Sequence, residues 1–150
     1  MVFRTARVSR DPEVTLFANT GSAGATTIDL GVPASGEKIG FFLIEDGFGQ
    51  FGALPDNLSF LNQGSLTPGN ANGGLPLVLQ SATLGILDAT VFHSIQGLNP
   101  GHADQVLSAT APGGRVLQVG FEDLPVATGD NDFQDVLLTV LSNRNDVFLV

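Results

Sequence analysis

Glu122, Asp123, Asp130, Asp132 and Asp135 crowd into fourteen residues, with no Lys or Arg among them. Such a run repels itself unless something cationic neutralises it. An ionised carboxylate offers about four acceptor sites and no donor. Hard cations that prefer oxygen take ligands of this kind, and Ca²⁺ gathers about six to eight oxygens at about 2.3–2.6 Å. All five carboxylates are therefore candidate Ca²⁺ ligands, with Asp130, Asp132 and Asp135 foremost. Of Glu122 and Asp123, one can instead support the loop from behind. Asp130 and Asp132 are two apart, so in extended chain they share a face. Backbone carbonyls, Asn131 or Gln134 would complete the shell. The simpler alternative is a solvated acidic loop in which Asp130 caps a turn.

The pattern is not an EF-hand. Counting from Asp130, the sixth residue is Asp135 rather than Gly, and the twelfth is Leu141 rather than Glu. It is not the Gly-rich nonapeptide repeat either, because Gly73-Gly74 and Gly113-Gly114 lack the G-x-D continuation. Mg²⁺ fits less well, since it prefers few protein ligands and octahedral water. Paired carboxylates also hydrolyse glycosides when about 5 Å or about 6.5–9.5 Å apart. A sugar-cleaving site usually adds an aromatic platform, and this chain has no Trp and no Tyr. His93 and His102 with Asp104 make a weak zinc pattern. No G-x-S-x-G occurs to support a serine nucleophile.

The elements that must position the acidic run flank it directly. Residues 115–121 form one expected strand. In Val136–Leu141 the residues Val136, Leu138 and Val140 face one way, and Leu137, Thr139 and Leu141 the other. If these strands are neighbours, their ends bring the carboxylates together at one rim. Phe133, inside the run, argues for a loop packed on the core. Further strands are expected at residues 13–18, 26–30, 39–45, 58–61, 75–80, 104–109 and 147–150, with one or two within 83–94 broken at Asp88. Residues 1–10 read as a strand or an arm. Residues 62–74 read as the longest loop, and no helix is expected. Gly47-Phe48-Gly49-Gln50-Phe51-Gly52 matches G-x-G-x-x-G, but Pro55 opposes a helix running on through this point and no βαβ pattern follows. It reads as a Gly-rich loop whose Phe residues tuck under the sheet edge. The expected architecture is an all-β antiparallel sandwich, jelly-roll-like, over residues 1–150 as one domain.

Composition narrows the partners. The net charge is −9 with only six Lys and Arg, which disfavours nucleic acid and anionic membranes. There is no Cys, so disulfides and thiolate metal sites are out. No apolar run is long enough to span a membrane, and the basic start has no apolar segment behind it. The chain reads as a piece excised from a larger exported protein.

The motif Gly120-Phe121-Glu122-Asp123-Leu124, followed by Gly129-Asp130-Asn131-Asp132-Phe133-Gln134-Asp135, resembles the hallmark of a bacterial family of uncharacterised domains in large exported, calcium-dependent, adhesin-like proteins. Gly40-Phe41-Phe42-Leu43-Ile44-Glu45-Asp46-Gly47, Val91-Phe92-His93-Ser94 and Leu98-Asn99-Pro100 carry it further, across about residues 36–141. One departure is Gln134, where the family usually has Asn. The resemblance implies a noncatalytic calcium-binding module, secreted or at the cell surface, with a structural or adhesive role beside neighbouring domains. The alternatives are a calcium-dependent, lectin-like domain taking a carbohydrate or cell-surface ligand, and a polysaccharide-active enzyme.

Overall fold

The structure is a computed structural model of the 150-residue chain, and it describes residues 2–7, 14–17, 29, 31, 39–52, 58–69, 76–125 and 127–141. It is mostly antiparallel β-sheet with little helix. Among the described residues, ten strands run in chain order as β1 (Val2–Arg7), β2 (Val14–Phe17), β3 (Ile39–Ile44), β4 (Leu58–Asn62), β5 (Leu77–Ser81), β6 (Gly85–Leu87), β7 (Val91–His93), β8 (Val106–Thr110), β9 (Val116–Phe121) and β10 (Val136–Leu141). They form three sheets, ordered β2-β1-β3-β7, β4-β5-β6 and β8-β9-β10. The last two are plain meanders, and no sheet closes on itself as a jelly-roll barrel does. The strand expected at 147–150 lies outside the described residues, as does that at 26–30 apart from Asp29.

The chain divides into two compact units, Met1–Ala103 and Asp104–Val150. In the first, β3 is buried from Gly40 to Ile44 on both faces, as its uninterrupted apolar run implies. Phe42 and Ile44 meet Leu58, Leu79 and Leu87 of the β4-β5-β6 sheet, so two sheets share one core. Each such side chain contributes roughly 1.5–3 kcal/mol by leaving water. Phe42 stands edge-on to Phe60 with centroids 4.8 Å apart, a favoured aromatic geometry.

One correction to the sequence reading falls here. Residues Gly47–Phe51 form a short helix, α1, rather than a loop. Asp46 enters it at φ 44, and Gly52 ends it at φ 68 after a single turn, well before Pro55. Only Phe51 packs on the core, while Phe48 is exposed. The zinc pattern is not assembled: His93 is buried beside the rings of Phe42 and Phe60, whereas His102 is exposed.

Strand β7 is held by the side chain of Asn99. Its Oδ1 accepts from the His93 amide at 2.6 Å, and its Nδ2 donates to the His93 carbonyl at 2.9 Å and the Ala103 carbonyl at 3.1 Å. Asn99 is itself buried, and both of its bonds to His93 are sheltered from water.

In the second unit, β9 is the central strand. Phe121 pairs with Val136 and Val119 with Leu138, and these four form the buried face. Leu137, Thr139 and Leu141 lie exposed on the other face, as the alternation predicts.

Candidate metal centre

The β9–β10 register builds the site. Because Phe121 pairs with Val136, the next rung outward sets Glu122 opposite Asp135. Fourteen residues, 122–135, connect the two strands. Along β9 the direction of side chains alternates, so Glu122 shares the face of Gly120 rather than that of Phe121. That face is covered here by the returning loop, and Glu122 is only 1 % exposed.

The loop is shaped by turns of its own. The amides of Thr128 and Gly129 donate to the Pro125 carbonyl at 2.7 and 2.8 Å. Asn131 and Phe133 sit at φ 60 and 56, in the left-handed region. The Asp132 amide donates to Asp130 Oδ1 at 3.3 Å, and the Gln134 amide to Asp132 Oδ1 at 2.8 Å. These are the Asx turns that Asp forms readily. The Asp123 amide donates to Asp135 Oδ2 at 3.0 Å and fixes the last carboxylate of the loop.

The result is a convergent trio. One carboxylate oxygen from each of Glu122, Asp132 and Asp135 lies within 4.8 Å of the other two. Two oxygens bound to one Ca²⁺ at about 2.4 Å are at most about 5 Å apart, so the spacing fits a shared ion. No other group of three or more ligating side chains occurs among the described residues. Asp130 and Asp123 stand outside the trio. Asp130 bears on Glu122 through its charge, and Asp123 offers its backbone amide to Asp135. The extended-chain expectation that Asp130 and Asp132 act side by side gives way to a loop in which Asn131, between them, turns left-handed.

Glu122 is the unusual member. Burial pushes its carboxyl above the ordinary carboxylate range, and the nearby charges of Asp135 and Asp130 push it further. Backbone amides of Asn131 and Leu124 partly offset this. Its Oε2 is buried and accepts no hydrogen bond. A buried acceptor without a donor costs about 1–3 kcal/mol, and more when charged. A cation between the three carboxylates would satisfy that oxygen and reverse the repulsion. The all-carboxylate donor set suits a hard divalent ion.

Sequence reasoning missed three supporting residues. Gln105 is 2 % exposed, and its Nε2 donates to the Leu124 carbonyl at 2.8 Å and the Glu122 carbonyl at 3.4 Å. The Glu122 amide donates to the Gln105 carbonyl at 3.1 Å. Nothing local marks Gln105, which reads as an ordinary strand residue. Gly120 and Gly129 are the other two. A Cβ on Gly120 would run into the Phe133 carbonyl, and one on Gly129 into the Glu122 carboxylate. Both glycines fall in the motif noted above, but their spacing alone does not say what they clear space for.

The motif at residues 120–135 lies inside the stretch that a known family matches, residues 34–143. The chain belongs to the family described as "Domain of unknown function (DUF4114)". The match takes in β3 to β10 and therefore the whole carboxylate trio with its Gln105 clamp. No curated protein and no solved structure matches the chain. Among the described residues of this DUF4114 chain, no helix is long and apolar enough to cross a membrane.

Proposed function

We propose that this domain is a noncatalytic calcium-binding module, of β-sandwich type, with a structural or adhesive role in a secreted or cell-surface bacterial protein. The observation that carries it is the Glu122 carboxylate, buried with its Oε2 lacking a hydrogen bond and converging with the carboxylates of Asp132 and Asp135. The ion ties the ends of β9 and β10 to their connecting loop and rigidifies that end of the sheet. Two of the three carboxylates are exposed. We assign the site to the weak class that fills at about 10⁻⁴–10⁻³ M calcium, the level of extracellular modules, because ligands on an exposed loop are held less rigidly and rigidity is one of the terms that set calcium affinity. That supports an exported location, with residues 1–150 working as one module beside neighbouring domains.

The exposure of Asp132 and Asp135 also favours a second reading, in which the outer side of the ion takes sugar hydroxyls. An enzyme is the weakest of the three readings, because the chain has no Trp or Tyr to carry a sugar ring.

Thermal unfolding in EDTA and then in excess Ca²⁺ tests the proposal. Calcium at about a hundred times its Kd adds about 2.7 kcal/mol of stability. The rise should vanish in Asp132→Asn and largely survive in Asp130→Asn, since only Asp132 joins the trio. An unchanged midpoint in the parent protein sinks the calcium reading.

A further inference from the structure

Gly129 sits where a side chain would collide with the metal-facing carboxylate. A Cβ built on it meets Oε1, Cδ and Cγ of Glu122. Glycine is usually selected for a left-handed backbone or for close approach, and the two causes are separable here. Gly129 does not have positive φ. The loop's left-handed positions at φ 60 and 56 are occupied by Asn131 and Phe133, neither of them glycine. Backbone geometry therefore gives no reason for glycine at 129, and the carboxylate does. Glu122 is nearly enclosed, so its carboxylate has no open space into which to retreat.

We infer that Gly129 is a positioning residue for the ion site: it reserves the space in which the Glu122 carboxylate lies when it converges with those of Asp132 and Asp135. The inference rests on the calcium reading and adds a residue that touches no ion. Any side chain at 129 pushes the carboxylate off the shared point, while the backbone accepts it without strain.

Calorimetric titration of the 150-residue chain with Ca²⁺, alongside unfolding in EDTA, tests this. Gly129→Ala should weaken calcium binding about 10–100-fold, as loss of an orienting partner does at other metal sites. Its unfolding midpoint in EDTA should fall as well, because the enclosed carboxylate cannot step aside, and should recover in the Glu122→Asp background. The same alanine should cost severalfold less affinity in the Glu122→Asp background, where the shorter side chain clears the added methyl. Such non-additivity marks direct contact. If Gly129→Ala fails to fold alone but folds with Glu122→Asp, the collision is confirmed. Failure to fold in both backgrounds, binding within about threefold of the parent, or fully additive penalties each overturn the inference. A parent protein that binds no calcium refutes the calcium reading instead.

Discussion

Glu122 and Asp135 face each other one rung beyond the last β9–β10 pair, and the Asp123 amide holds Asp135 in place through its Oδ2. A ladder that ends on two opposed acids is unfavourable by itself, because like charges directly across strands repel. Asp132, brought back by the loop, adds a third. The arrangement is therefore poor as a metal-free structure and good as a cation cage.

Glu122→Gln separates those two properties. The amide removes a buried charge and supplies donors toward Asp132 and Asp135. Stability in EDTA should rise by about 1 kcal/mol or more, and the calcium-induced rise should disappear. Calorimetric unfolding with and without Ca²⁺ reads both effects. A variant less stable than the parent in EDTA would show that the carboxylate is satisfied without an ion.

Gln105 should matter to stability before it matters to the ion. Gln105→Leu keeps the bulk but abandons the buried carbonyl of Glu122 and the half-sheltered carbonyl of Leu124. The expected loss is about 1–3 kcal/mol, read from urea unfolding in EDTA. Loss of less than about half of the lower figure would mean that water replaces the amide at both carbonyls.

His93 gives the domain an acid-sensitive core. Burial lowers its pKa to about 4, against 6.5 in the unfolded chain. The unfolded state therefore takes the proton first. Stability is full above pH 6.5 and falls as the pH drops from there toward 4. The whole drop is ~3 kcal/mol at about 1.4 kcal/mol for each pH unit. Glu122 acts in the opposite sense, since its raised pKa makes the folded state the better proton acceptor. The measurement is therefore best made in EDTA on Glu122→Gln, comparing it with the same protein carrying His93→Phe. The two should converge in pH dependence only above pH 6.5, with His93→Phe the flatter below.

Much of this was legible in the sequence. The alternation in Val136–Leu141 set Val136 and Leu138 on one face and Leu137 and Leu141 on the other, and in the structure the first face is buried and the second exposed. The density of acids between two strands located the site to within fourteen residues. The sequence ranked Asp130, Asp132 and Asp135 ahead of Glu122 and Asp123, whereas the convergent trio takes in Glu122 and leaves out Asp130. Asp130 reads as strongly as Asp132, because chain spacing does not reveal that Asn131 turns left-handed between them. Glu122 reads as a strand end, and only the register shows that it opposes Asp135 under the returning loop. Helix α1 was hidden because its glycines and the following Pro55 speak against helix, and a single turn needs little propensity when Asp46 and Gly52 fix its ends. Gln105 was hidden because its partners lie seventeen and nineteen residues away.

The Asn99 clamp has a consequence for association between copies. β7 is the terminal strand of its sheet, and an uncovered strand edge invites pairing with any extended segment nearby. At His93 the outward amide and carbonyl are already taken by one side-chain amide. Asn99 thus imitates a neighbouring strand for one residue and stops there, so at His93 an incoming strand finds neither a donor nor an acceptor. Asn99→Ala would free both groups, and self-association of the variant at high concentration, followed by light scattering, is the behaviour to expect.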